Sequence, residues 1–435
     1  MARTRRNGDS APEGRFTALR LQNVRCFEEV AIQLDPQMTV MIGENGTGKT
    51  TVAEALASLS YGETEGLSHF PLRRDTRHGE IALFDAAHTD SVAIWRHDEA
   101  SATHQRLPLT RYLFAYGRYR RIHDPGTWED PESLVNVSSL LDELANAVTE
   151  RRTTTLNHPD GRLLRDLSRY LVAIHEARSF DPRMDTIWDR LQQSLRELRQ
   201  GLERIEMVEG EMAYIPMVVR RGVRLGLNEL SDGYQAVLVI VFDLILRYTF
   251  LFSTLSDPLA GTATVMIDEV DLHLHVRWQR LVLRQLTTLF PGTQFVVTTH
   301  SPAVVQAAID DGHHIITLRE KKGTVEATPL SARKRKQLQG AGIDSLFIEK
   351  LLFGADSRYS AQVQTDEDEV RRLRRKVESD RATDTDRERL FVLLNRLEGL
   401  VASEAERHES GPLISEMTKL QLAFLKELAM ELDEK

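Results

Sequence analysis

Cysteine is all but missing from this chain of 435 residues: Cys26 stands alone. That excludes an internal disulfide and a zinc site built from cysteines, and leaves Cys26 to be read as a small buried residue in a strand. Long apolar runs are scarce too. None approaches the roughly 20 residues needed to cross a bilayer, and the opening MARTRRNGDSAPEGR lacks an apolar signal core. The reading is a soluble, cytoplasmic protein with no membrane partner. A basic surplus is also absent. The net charge of −9 argues against a generic polyanion binder, and local clusters such as Arg118/Arg120/Arg121 read first as solvated faces. No internal repeat of roughly 20 to 50 residues marks a solenoid or propeller.

What the chain does have is concentrated between Met38 and Leu56. Met38 to Ile42 is apolar enough for a buried strand, and Val52 to Leu59 has the composition of a helix. Between them lies Gly43-Glu44-Asn45-Gly46-Thr47-Gly48-Lys49-Thr50, followed by Thr51. This is the G-x-x-x-x-G-K-T pattern of a loop whose backbone amides close around a phosphate chain. The glycines let the backbone approach the phosphates and take turns that a Cβ would oppose. Lys49 can reach the β and γ phosphates as a mobile point charge, the Thr50 hydroxyl suits the shell of a Mg²⁺ ion, and the positive end of the helix faces the anion.

Around this stretch the chain divides by pattern. Residues 1–14 are polar and basic and read as a disordered leader. Residues 15–137 and 208–330 carry short apolar strands, among them Ile81 to Phe84, Tyr112 to Tyr116, Tyr214 to Val219, Val265 to Ile267 and Gln294 to Thr298. Together they read as one α/β head. Arg25 and Phe27 fall where a nucleotide's base and ribose need a neighbour, though Phe27 suits packing equally well. Residues 138–207 change to helical spacing, from Leu140 through Leu171 and Leu195 to Leu202 and Ile205, and read as a helical insert. Residues 331–435 open on the basic run Arg333 to Lys336 and are highly charged from Asp366, with apolar positions three and four apart from Leu390 to Val401 and from Met417 to Leu432. That spacing means amphipathic helices suited to dimerisation or to a partner.

Two further stretches carry chemistry. Leu230-Ser231-Asp232-Gly233 opens a strongly apolar helix, with Ser231 suited to the N-cap and Gly233 leaving the helix end sterically open, as a second anion site would need. Val265 to Ile267 ends in Asp268-Glu269, at the end of the strand where open α/β sheets bind ligands. Asp268 can hold Mg²⁺ through water beside Thr50, and Glu269 can orient and deprotonate an attacking water. The next strand ends in Thr299-His300, so that His300 can reach a γ-phosphate. His273 and His275 lack a third ligand nearby, which disfavours a metal site there.

The order Gly43 to Thr50, Leu230 to Gln235, Val265 to Glu269 with Asp271, then His300, resembles the ATP-binding-cassette (ABC) ATPases of the RecF/Rad50/SMC branch. The resemblance implies an α/β fold: an ABC-type P-loop ATPase head of mixed β-sheet and flanking helices, with a helical insert and a C-terminal helical segment. It implies ATP and Mg²⁺ as ligands, Glu269, His300 and Lys49 as catalytic groups, and Thr50 and Asp268 at the metal. It further implies a homodimer or higher homo-oligomer in which Ser231 and Gly233 of one copy cover the ATP of another. Here LSDGYQ stands where transporters show LSGGQ, and no glutamine linking the lobes can be assigned beyond a weak guess at Gln105. The segment Asp268 to His275, the THSP ending and the tail from Leu352 to Arg358 resemble ATPases of bacterial anti-phage systems of the Septu and retron-associated kind. That likeness implies an effector held in check, commonly an HNH-type nuclease on a separate chain. The alternative is a RecF-like repair clamp that binds DNA.

Overall fold

A computed structural model describes residues 15–59, 71–85, 93–98, 101–105, 112–118, 120, 141–145, 167–198, 201–210, 214–340 and scattered positions between 369 and 393. The chain opens with β1 (Phe16–Val24), β2 (Phe27–Gln33), β3 (Met38–Gly43) and α1 (Lys49–Ser58). Four strands follow: β4 (His78–Asp85), β5 (Ala93–Asp98), β6 (Ser101–Gln105) and β7 (Leu113–Tyr116). Next come α2 (Leu167–Ala177), α3 (Pro182–Glu197), β8 (Leu202–Glu209), β9 (Tyr214–Arg220), β10 (Val223–Gly226) and the long α4 (Asp232–Leu251). The remainder is β11 (Thr264–Ile267), α5 (Val276–Gln279), α6 (Val282–Leu289), β12 (Gln294–Thr299), α7 (Pro302–Asp310), β13 (His314–Lys321), β14 (Thr324–Pro329) and α8 (Ala332–Gly340).

The central sheet has the order β14-β13-β3-β12-β11-β7, parallel throughout except for the β13/β14 hairpin. Strands β3, β11 and β12 are buried along their whole length, which is why their sequences are largely apolar and do not alternate. A second, antiparallel sheet runs β2-β1-β4-β5-β6. From Glu29 onward its β2 alternates exposed and buried residues, as a strand with one wet face should. Leu19, Phe27, Ile32 and Leu83 from this sheet share one core with Val52, Ala53 and Leu56 of α1 and with Met41, Met266 and Val296 of the parallel sheet. Helix α1 is therefore gripped between two sheets. Each large side chain buried there contributes on the order of 1.5–3 kcal/mol, so the helix that carries the phosphate-loop lysine is firmly placed.

The expected helical insert is helical only in part. Residues 141–145, α2 and α3 are helical, but Leu202 and Ile205 lie on β8, in a three-stranded antiparallel sheet ordered β10-β9-β8. The register of β8 against β9 shifts between Leu202 and Arg204. That irregularity adds a residue between two buried positions and turns a spacing of two into three, the period that reads as helix. A second expectation fails at α4, which is 20 residues long with a mean hydropathy of 1.6, enough by length and composition to span a bilayer. Its most apolar window is 83% buried inside the protein, which marks a core helix.

The chain forms two compact units, Met1–Ser345 and Leu346–Lys435. In the second, Leu373, Leu390 and Leu393 pack together with Val370, and Lys376 bonds Asp386 at 2.9 Å. Residues 1–14, the tail from Leu352 to Arg358 and the apolar positions from Leu394 to Leu432 lie outside the described residues.

Deep in the first unit, α4 carries a charged pair. Arg247 Nε donates to Asp243 Oδ2 at 2.9 Å, and both side chains are at most 2% exposed. Tyr116 at the end of β7 donates its hydroxyl to the same carboxylate oxygen, and the Arg247 guanidinium lies 5.1 Å from the Phe114 ring centre. Burial and the Asp243 charge push the Tyr116 phenol well above its usual range, so it stays a donor. Removing one member of such a pair strands the other charge. Asp243→Ala should therefore cost about 3–5 kcal/mol in thermal or denaturant unfolding, while Asp243→Leu with Arg247→Met should recover most of the loss.

Candidate functional site

The phosphate-loop sequence begins where β3 ends, at Gly43, and runs into α1 at Lys49. Its glycines have distinct reasons. Gly48 takes φ 85°, and a Cβ there would lie 2.6 Å from Cys26 Sγ and 2.7 Å from the Phe27 ring. A Cβ on Gly43 would meet the Leu318 carbonyl at 2.5 Å. Cys26 therefore sits in the β1–β2 turn under the loop, half-buried, and not in a strand as its sequence reading had it. Phe27 is fully buried in the core, which favours its packing reading. Arg25 pairs with Glu54 and donates to Thr51 Oγ1 at 3.4 Å, both on α1.

Lys49 Nζ donates to the carbonyls of Gly43 and Glu44, both at 2.8 Å. Burial pushes its pKa down to about 8, against the raising influence of Asp268 and Glu269. Thr50 Oγ1 donates to Asp268 Oδ2 at 2.9 Å, and Thr298 Oγ1 to Asp268 Oδ1 at 2.6 Å. The sheet order explains the meeting: β12 lies between β3 and β11, and all three strands end at the same edge. Glu269 takes a left-handed φ of 51°. Its amide donates to Thr298 Oγ1 at 2.7 Å, and Arg120 donates to its carbonyl at 2.8 Å and to that of Asp268. Asp271 accepts from the Thr299 hydroxyl. His300 is half-buried; desolvation, then the Lys49 charge, lowers its pKa, leaving the imidazole neutral at pH 7.

Two arginines missed as individual site residues complete this edge. Arg118 Nη2 lies 3.2 Å from Glu269 Oε1 and 3.5 Å from Thr50 Oγ1, and Arg120 is 3% exposed beneath the acidic pair. The signal was Gly117-Arg118 at the end of a strand, which pairs in parallel with β11 so that Tyr116 stands beside Ile267. Gln105 lies on β6, at the edge of the antiparallel sheet.

The start of α4 differs from expectation. Ser231 holds the N-cap position and is exposed, but its hydroxyl makes no capping bond. Gln235 Nε2 donates to the Leu230 carbonyl at 2.7 Å. Gly233 is not sterically open: a Cβ there would lie 2.5 Å from the His273 carbonyl. Among the described residues no hydrogen bond joins Ser231 or Gly233 to the Gly43–Thr50 loop of the same chain. His275 caps α5, its Nδ1 accepting from the Arg277 amide at 3.3 Å.

These groups fit a nucleotide triphosphate with a divalent cation. No side chain caps the N-terminus of α1, so its first-turn amides point out of the helix without intrahelical partners. The Lys49 ammonium rests on carbonyls of the loop itself, within reach of whatever the loop encloses. Thr50 and Asp268 supply a hydroxyl and a carboxylate side by side, the oxygen donors Mg²⁺ takes when phosphates complete its shell.

A family model described as an AAA domain matches residues 18–111, and a second, described as "AAA domain, putative AbiEii toxin, Type IV TA system", matches residues 118–306. The retron Vc95 probable ATPase of Vibrio cholerae is 36% identical over 99 residues, 23% of this chain and 19% of that protein. The Septu protein PtuA of Bacillus mycoides is 29% identical over 114 residues, 26% of this chain and 16% of that protein. The DNA replication and repair protein RecF of Staphylococcus carnosus is 28% identical over 109 residues, 25% of this chain and 26% of that protein. Each match thus spans about a quarter or less of the relative's own length. A solved Smc head bound to the C-winged helix domain of ScpA aligns with 73% of this chain and 99% of that chain, at 14% identity and a TM-score of 0.47. Over residues 18–111 and 118–306 the chain thus matches AAA ATPase domains, and in shorter segments it resembles the RecF/Rad50/SMC-like ABC-type ATPases, among them the retron ATPases and the Septu protein.

Proposed function

We propose that this protein binds and hydrolyses ATP, that two copies close around two nucleotides, and that opening and closing controls a separate effector. The observation that carries the reading is the Thr50–Asp268 hydrogen bond, which brings the phosphate loop and the acidic strand end together with Glu269 next in line. In this reading the loop amides from Gly43 to Thr51 cradle the phosphates and Lys49 neutralises the β and γ groups. Thr50 and Asp268 would hold Mg²⁺, which would screen phosphate charge. Glu269 takes the proton of the attacking water and His300 orients toward the γ-phosphate. Arg25 stands beside α1 on the nucleotide's sugar side.

Ser231 has an exposed hydroxyl with no capping bond, which leaves it available to a phosphate held by a second copy. Such trans contacts exist only in the closed pair, and that differential affinity is what lets nucleotide drive closure. The likeness to retron ATPases and the Septu protein favours an effector-restraining role in anti-phage defence, with an HNH-type nuclease as the effector. The RecF match supports a second reading, a DNA-binding clamp, which requires DNA affinity that falls steeply with salt.

Glu269→Gln should retain ATP binding, lose about 10²- to 10⁴-fold in hydrolysis rate and accumulate as an ATP-dependent dimer in analytical ultracentrifugation, whereas Lys49→Ala should weaken binding itself. A wild-type rate in Glu269→Gln removes that residue as the base. Ser231→Arg should bind ATP as a monomer with wild-type affinity yet fail to dimerise. Dimerisation of that variant in ATP would place the contact between copies elsewhere.

A further inference from the structure

Arg118 and Arg120 are two residues apart and are held in opposite ways. Arg120 is 3% exposed and fixed to the carbonyls of Gly117, Asp268 and Glu269. Arg118 has a side chain 59% exposed, and its recorded partners are Glu269 Oε1 at 3.2 Å and Thr50 Oγ1 at 3.5 Å. Its place follows from register: Tyr116 stands beside Ile267 on neighbouring parallel strands, so two residues further on Arg118 is level with Glu269.

Glu269 shows the complementary asymmetry. Its backbone is fixed at both ends, by the Thr298 hydroxyl at the amide and by Arg120 at the carbonyl. Among the described residues, the ion pair with Arg118 is what occupies its carboxylate. The pair is solvent-accessible, and ion pairs of that kind are weak. A guanidinium meeting a phosphate makes stronger, bidentate, charge-assisted bonds. Arg118 also touches the hydroxyl of the loop residue that would stand beside bound phosphates, so the exchange needs no large movement.

We propose that Arg118 is a γ-phosphate-sensing residue that guards the base: without nucleotide it pairs with Glu269, and the terminal phosphate of a bound triphosphate draws it away and frees the carboxylate. Because a diphosphate lacks that group, it leaves the pair intact. The inference rests on the reading that Glu269 faces bound nucleotide. No bond to carbon or phosphorus forms or breaks in the exchange, which trades one set of charge-assisted hydrogen bonds for another.

The test is calorimetric titration of the full chain, with Mg²⁺, by the non-hydrolysable triphosphate AMP-PNP and by ADP. Arg118→Ala should lose about tenfold or more in AMP-PNP affinity and keep its ADP affinity, and Arg118→Lys should recover part of the loss as a point charge. Glu269→Gln should tighten AMP-PNP in the wild-type background and not in Arg118→Ala, because the competitor for the guanidinium is then irrelevant. Equal losses for both nucleotides, no loss for either, or a Glu269→Gln effect independent of Arg118 would overturn the proposal. If the wild type binds both nucleotides and hydrolyses ATP, such a result removes only the role of Arg118. If the wild type binds neither, the ATPase reading falls and takes this inference with it.

Discussion

One carboxylate holds the edge of the central sheet together. Asp268 is 1% exposed, yet it accepts hydroxyl protons from Thr50 on α1 and Thr298 on β12, while Arg120 binds the carbonyl beside it. A buried carboxylate without donors would be costly, so these bonds fix the start of α1 against the ends of β11 and β12. Everything chemical in the chain is placed from that junction: Lys49 on one side, Glu269 next in sequence, His300 at the end of the neighbouring strand.

The surrounding architecture makes the junction rigid. Two sheets enclose α1, so the lysine-bearing helix has no wet face along which to shift. Arg120 serves as a strut, its pKa pushed down to about 10 by burial with the acidic cluster opposing the shift. The strained φ of Glu269 persists because hydrogen bonds on both sides of the residue over-determine it. The groups at this edge that reach into water are side chains, chiefly Arg118 and, less so, the Glu269 carboxylate it pairs with.

Much of this could be read from residue order. The loop from Gly43 to Thr50, the acidic end of β11 and the buried strands were legible because short, largely apolar runs and fixed glycine spacing have few alternative readings. Long-range facts were not. Arg118 and Arg120 looked like a solvated basic cluster, since pattern alone does not say that β7 lies beside β11. A register shift at Leu202/Arg204 disguised β8 as helix. Gly233 looked like an opening because a glycine that makes room for another backbone and one that leaves a gap are identical in one dimension.

That glycine has a mechanical meaning. With no Cβ between them, the first turn of α4 rests on the His273 peptide, the two backbones in direct steric contact. Asp271, two residues earlier, is tied to Thr299 on the strand that ends at His300. A run of direct contacts thus links the strand end at Thr299, through Asp271 and His273, to the helix start that carries the exposed Ser231.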